Sequence, residues 1–173
     1  MKKIKTQVLT EAAAAVAAAL VLSFIKIIQM PQGGSVSLAM IPLFIIAIRR
    51  GAPVGIASGA VYGLISLAID GQIFHPLSIL LDYVLAFGLL GISGLFPKKL
   101  SGIIFGIISG VGLRFSSSLV SGAVLFAEYA PQGQNVWAYS AIYQASYLIP
   151  ELVISVVIIG LFYIKFPRFF EVV

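Results

Sequence analysis

The chain has no cysteine, one histidine, one tryptophan and six carboxylates among 173 residues. Without cysteine there is no disulfide, no thiolate nucleophile and no cysteine-ligated metal. His75, beside Pro76, has no second histidine with which to build a zinc site. It reads as a surface residue, and neither a metal nor a cofactor is expected. Ser116, Ser117 and Ser118 have no histidine base and no nucleophile elbow, which argues against serine hydrolysis. No GxxxxGK[ST] loop is available to cradle a nucleotide. The chain is therefore not expected to be an enzyme, and whatever energy it uses comes from a gradient or from another subunit. Charge is scarce too: 10 % of residues carry it, where a soluble domain has about a quarter.

What fills the sequence instead is apolar. Hydrophobic residues make up 60 % and mean hydropathy is +1.09, which implies an all-α integral membrane protein. The apolar material comes in blocks near the ~20 residues needed to cross a hydrocarbon core. They predict one polytopic domain over residues 1–173, with six transmembrane helices at about 8–29, 38–50, 53–69, 77–96, 102–126 and 136–166. The basic start resembles a signal peptide, but the apolar run continues to Ile28, too long for that, so a retained first helix is expected. Pro42 suggests a kinked or steeply packed second helix, and Gly55, Gly59 and Gly63 form a GxxxGxxxG packing row on the third. In the first helix, small residues repeat every four positions, as in Ala13 with Ala17, a face that lets another helix come close.

Nine of the eleven basic residues fall in the N-terminal tail, two alternate turns and the C-terminal end: Lys2, Lys3, Lys5, Arg49, Arg50, Lys98, Lys99, Lys165 and Arg168. The opposite loops carry Lys26 alone. By the positive-inside rule both termini are cytoplasmic, and the Gly-, Pro- and Gln-rich loops MPQGGSVS, DGQIFHP and EYAPQGQN are external. Paired basic residues beside apolar blocks do not suggest nucleic-acid binding. Function is expected to face outward, from a cell membrane.

Ionisable groups within membrane helices are functional candidates by default. Asp82, with Tyr83 next to it, can accept hydrogen bonds from a ligand's amino or ring N–H. Arg114 cannot shed its proton and needs an acceptor; Asp82 and Glu151 are available, and a structural ion pair is expected. Glu151 follows Pro150, whose missing N–H frees a carbonyl nearby. At helical spacing Arg114, Ser118, Gly122 and Phe126 share one face, while Tyr139, Tyr143 and Tyr147 share another with Gln144 beside it. Aromatic rings with a few polar groups suit a flat heteroaromatic ligand. Trp137 and Tyr129 fit the aromatic belt of a membrane interface.

Three blocks carry a family resemblance: MPQGGSVSLAMIPLFIIAIRRG, LLDYVLAFGLLGISGLF and RFSSSLVSGAVLFAEYAPQGQNVWAYSAIYQASYLIP. In order and spacing they resemble the thiamine-specific substrate-binding subunits, or S-components, of energy-coupling factor (ECF) vitamin transporters. The resemblance implies a six-helix subunit that captures a vitamin outside and docks, through small residues of helix one such as Ala13 and Ala17, on a transmembrane coupling protein carrying two cytoplasmic ATPases. Carried onto this chain, it implies ligand contacts from Tyr139, Tyr83 and Gly122. Asp82 stands where the family binds the aminopyrimidine with a carboxylate, often glutamate. Ser118, Gln144 and Phe126 stand where histidine, asparagine and tryptophan are usual. The resemblance favours thiamine. Those substitutions leave vitamin B6 (pyridoxine) or hydroxymethylpyrimidine as the alternative, with a stand-alone proton-coupled transporter using Glu151 and Asp82 as the remoter one.

Overall fold

The computed structural model describes residues 6–70 and 75–171. Its helices are α1 (Thr6–Ser23), α2 (Met40–Arg50), α3 (Ala52–Asp70), α4 (Pro76–Leu95), α5 (Leu100–Val124) and α6 (Val136–Lys165). A small antiparallel hairpin, β1 (Ile28–Gln29) with β2 (Ser35–Val36), stands between α1 and α2. Among the described residues five helices, all except α2, are long and apolar enough to cross a membrane. At 11 residues, α2 spans only about 16 Å, short of the ~30 Å core.

That short helix is nevertheless the centre of the bundle. Met40, Ile41, Leu43, Phe44, Ile46, Ala47 and Ile48 are all buried, so it is apolar because neighbouring helices enclose it. Pro42 occupies the first turn, where its missing N–H would have had no helical partner anyway. The first helix also differs from expectation. It ends at Ser23 rather than Gln29, and residues 24–36 turn into the hairpin, with Ile27 N–H bonded to Val36 O at 2.9 Å and Met30 N–H to Gly34 O at 3.0 Å.

The glycine row of α3 faces α4. A methyl group at Gly59 would strike the Phe87 carbonyl, at Gly63 the Tyr83 carbonyl, and at Gly55 the side chain of Ala47. Backbone therefore packs directly on backbone. α4 is composite: an opening turn capped by His75, whose Nδ1 accepts from Leu77 N–H at 3.1 Å, then a π-helical stretch Ile79–Leu85, one α-turn, and a 3₁₀ stretch Leu89–Leu95. Most of the loop DGQIFHP lies outside the described residues.

α1 packs lightly, burying only Val16 and Ala19. Its lower end is held by charge. Glu11 accepts from Arg49 Nε at 3.0 Å and from Arg50 Nε at 2.7 Å. Lys98 Nζ donates to Arg49 O at 2.9 Å, Tyr163 O–H to Lys98 O at 3.0 Å, and Arg49 Nη1 to Phe169 O. The start of α1, the end of α2, the α4–α5 turn and the C-terminal segment thus meet at one basic end. Lys2, Lys3 and Lys5 lie outside the described residues.

Candidate ligand-binding site

At the opposite end the helices splay around a cavity of about 270 Å³ under the hairpin. This is near the lower limit of small-molecule sites, roughly 300 Å³, and fits a compact ligand. α4 supplies Asp82, Tyr83 and Phe87; α5 supplies Arg114 and Ser118; α6 supplies Tyr143, Gln144, Tyr147 and Glu151. Phe126 lies at the rim, just after α5.

Asp82 and Tyr83 are adjacent in sequence yet both line the cavity, and both lie in the π-helical stretch of α4. Such wide turns recur at functional sites because they change the angle between successive side chains. Two α5 serines fix this segment: Ser117 Oγ donates to Leu81 O at 2.6 Å, and Ser121 Oγ donates to Asp82 Oδ2 at 2.5 Å. The carboxylate is thereby aimed before any ligand arrives.

The α6 tyrosines serve the roof more than the floor. Tyr143 O–H accepts from Gln32 N–H at 2.9 Å and donates to Gly33 O at 2.8 Å, while Tyr139 O–H donates to Gln32 Oε1 at 3.1 Å. Tyr147, buried, lies against Gly34, where an added methyl would come within 2.8 Å of the ring and where φ is +84°. Glycine is required there on both counts. Gln144 braces α6 on α5: its Nε2 donates to Ser118 O at 3.1 Å and its Oε1 accepts from Tyr147 O–H. An amide has two donors and two lone pairs, so one of each is left over for a ligand.

Deeper in, Arg114 Nη1 lies 3.4 Å from Glu151 Oε2, and the guanidinium sits 4.2 Å over the Phe87 ring. Glu151 Oε1 accepts from Ser37 N–H at 3.0 Å and from Ser37 Oγ at 3.1 Å. One carboxylate therefore joins α6 to α5 and to the chain just beyond the hairpin. Arg114 Nε, buried, has no hydrogen-bond partner among the described residues. The floor thus offers a donor and an acceptor, Arg114 and Asp82, within one aromatic enclosure.

Two residues singled out in the sequence do not line the cavity. Gly122 packs α5 on α6, where a methyl would collide with Ser140 Oγ. Tyr139 sits one turn above and holds the hairpin through Gln32. Conversely, Ser23, Lys26, Gln32, Tyr62, Ser66 and Phe87 line the cavity without having been marked. They are isolated polar or aromatic residues on apolar helices and in the first loop, with no periodic pattern to announce them. Ser116 Oγ bonds its own helix at Gly112 O, 3.0 Å away, and no group of three or more metal-ligating side chains occurs among the described residues.

Comparison with known proteins agrees with this architecture. A family model described as "Thiamine transporter protein (Thia_YuaJ)" matches residues 9–171. The chain is 38 % identical over 177 residues to the thiamine transporter ThiT of Bacillus subtilis (strain 168), covering 92 % of each. It is 31 % identical over 180 residues to the protein of that name from Lacticaseibacillus paracasei, covering 94 % of this chain and 90 % of that one. A solved structure of ThiT from Listeria monocytogenes superposes with a TM-score of 0.86 at 29 % identity, covering 96 % of this chain and 98 % of the other. With this agreement over nearly its whole length, the chain belongs to the thiamine transporter protein family and is a multi-pass membrane protein.

Proposed function

We propose that the chain is the substrate-capturing subunit of an ECF-type importer, and that its ligand is thiamine. The observation that carries this reading is Asp82, aimed by Ser121 into an aromatic cavity closed by a hairpin, in a chain with thiamine transporters as relatives. The aminopyrimidine of thiamine donates to Asp82. Its ring nitrogens accept from the remaining Gln144 N–H or from the Arg114 guanidinium. Tyr83 and Phe126 offer faces to the thiazolium cation, a contact of about 0.5–2 kcal/mol according to how far it is desolvated. Ser118 lines the wall between them. Tyr143 contributes its ring and, with Tyr139, holds the roof; Gly122 acts indirectly, by setting the α5–α6 distance. Arg114 and Glu151 neutralise each other as a pair.

In this reading the chain crosses the membrane six times, the hairpin and α2 together making the second crossing, with both termini in the cytoplasm. The gathering of Arg49, Arg50 and Lys98 at the end away from the cavity supports that orientation. It has no catalytic activity of its own, and a transmembrane coupling protein with two cytoplasmic ATPases drives import. Docking uses α1, whose Ala13, Ala14, Ala17 and Ala18 are all exposed. Such a small-residue face permits close helix approach.

Isothermal titration of the purified chain with thiamine, pyridoxine and hydroxymethylpyrimidine tests the ligand. Thiamine should bind most tightly; no binding of any of the three at micromolar concentration would reject a vitamin site. For docking, Ala17→Trp should leave thiamine affinity unchanged while abolishing co-purification with the coupling protein. Undiminished co-purification would show that another face is used.

A further inference from the structure

α6 does not end at Lys165 in a loose tail. Phe166 leaves helical geometry at φ −133° and ψ 58°, and Pro167–Phe169 forms a 3₁₀ turn that carries Phe170 back into the protein, fully buried. Phe170 packs 5.6 Å from the rings of both Phe162 and Tyr163, and the Arg49 guanidinium sits 4.5 Å over the Phe169 ring. The turn is therefore a fixed platform rather than a flexible end.

On its outer side Phe162, Lys165, Phe166, Pro167, Arg168 and Phe169 line a groove of about 450 Å³. Phe166 and Phe169 remain 49 % and 41 % exposed, and none of these six residues is acidic. The groove lies at the basic end of the bundle, where the apolar surface of α6 gives out. Its two halves ask for different chemistry. The rings need apolar chain to cover them, and the two cations need an anion, which Arg168 can hold through a fork of N–H donors. A soluble anion would leave the rings bare, and a neutral lipid would leave the cations unmatched. We propose that this groove binds one anionic phospholipid of the adjacent leaflet, its phosphate held by Lys165 and Arg168 and an acyl chain lying along Phe162 and Phe166. The partner is independent of which vitamin fills the cavity at the other end.

The test uses the full chain, delipidated in detergent, titrated with phosphatidylglycerol or with phosphatidylcholine of the same acyl chains and read by native mass spectrometry. The wild type should retain phosphatidylglycerol in preference to phosphatidylcholine. Lys165→Gln/Arg168→Gln removes two charges worth about fivefold each near an anionic surface, so phosphatidylglycerol retention should fall on the order of thirtyfold, and phosphatidylcholine, whose phosphate is offset by its own cation, should fall much less. Unchanged vitamin affinity and thermal unfolding show that the variant is folded. Equal retention of the two lipids, or undiminished phosphatidylglycerol on the variant, would overturn the proposal. So would a dimer, in place of the lipid adduct, that the two substitutions abolish, since the groove would then be an interface between copies of the chain.

Discussion

Asp82→Asn is expected to weaken thiamine binding by about 3 kcal/mol, roughly a hundredfold or more in Kd, while leaving the unliganded protein folded. The change preserves shape but turns half of an acceptor-only group into a donor. That donor faces the amino group the carboxylate was aimed to receive, so a hydrogen bond is replaced by a clash of donors. Ser121 Oγ, which donates to Asp82 at 2.5 Å, can still bond the amide oxygen, and this keeps the π-helical stretch in place. Titration calorimetry gives the affinity and thermal unfolding without ligand gives the stability. An unchanged Kd would remove Asp82 from the site and with it the proposed orientation of the vitamin.

The second large effect concerns stability. Arg114→Met should destabilise the unliganded chain by about 3–5 kcal/mol, because Glu151, 2 % exposed, would be left as a buried charge without its counter-ion. The midpoint of thermal unfolding in detergent should fall on the order of 10 °C. Arg114→Met/Glu151→Leu should recover part of the loss, since no uncompensated charge then remains. Recovery is incomplete because Ser37 N–H, which donates to Glu151 at 3.0 Å, loses its acceptor. A single substitution as stable as the wild type would mean that the pair contributes nothing to the fold.

Much of this was legible in the sequence, for physical reasons that also explain where reading stopped. Long apolar blocks mark α3 to α6 because lipid demands them. The α3 glycine row could be assigned to packing because only close backbone approach uses such spacing, although its partner α4 could not be named. Asp82 stood out because charge inside an apolar block is costly, and Tyr83 as its neighbour. The end of α1 did not, since Phe24, Ile25, Ile27 and Ile28 are as apolar as the helix before them; their escape into a hairpin depends on strand pairing and on Gly33 and Gly34, both with positive φ. Hydropathy also makes α2 look like an ordinary crossing, when its side chains are buried against protein. Residues 114 positions apart, such as Ser37 and Glu151, leave no local trace of their contact. Gly122 and Tyr139 shared the right helix faces, but helical spacing fixes direction around an axis and not height along it. Height placed one between two helices and the other above the cavity.

The 30 residues of α6 extend about 45 Å, some 15 Å more than the hydrocarbon layer is thick. In the proposed topology Lys165, next to the basic end, anchors the helix at the cytoplasmic face, so the surplus of roughly ten residues stands proud of the other. Those residues are the ones that carry Trp137, Tyr139 and Tyr143, and through the last two they hold up the hairpin. In that topology the entrance is lifted to the height of the lipid headgroups, within reach of bulk water. A permanently charged, well-hydrated vitamin can be taken straight from solution, and it never has to dissolve in oil to be caught.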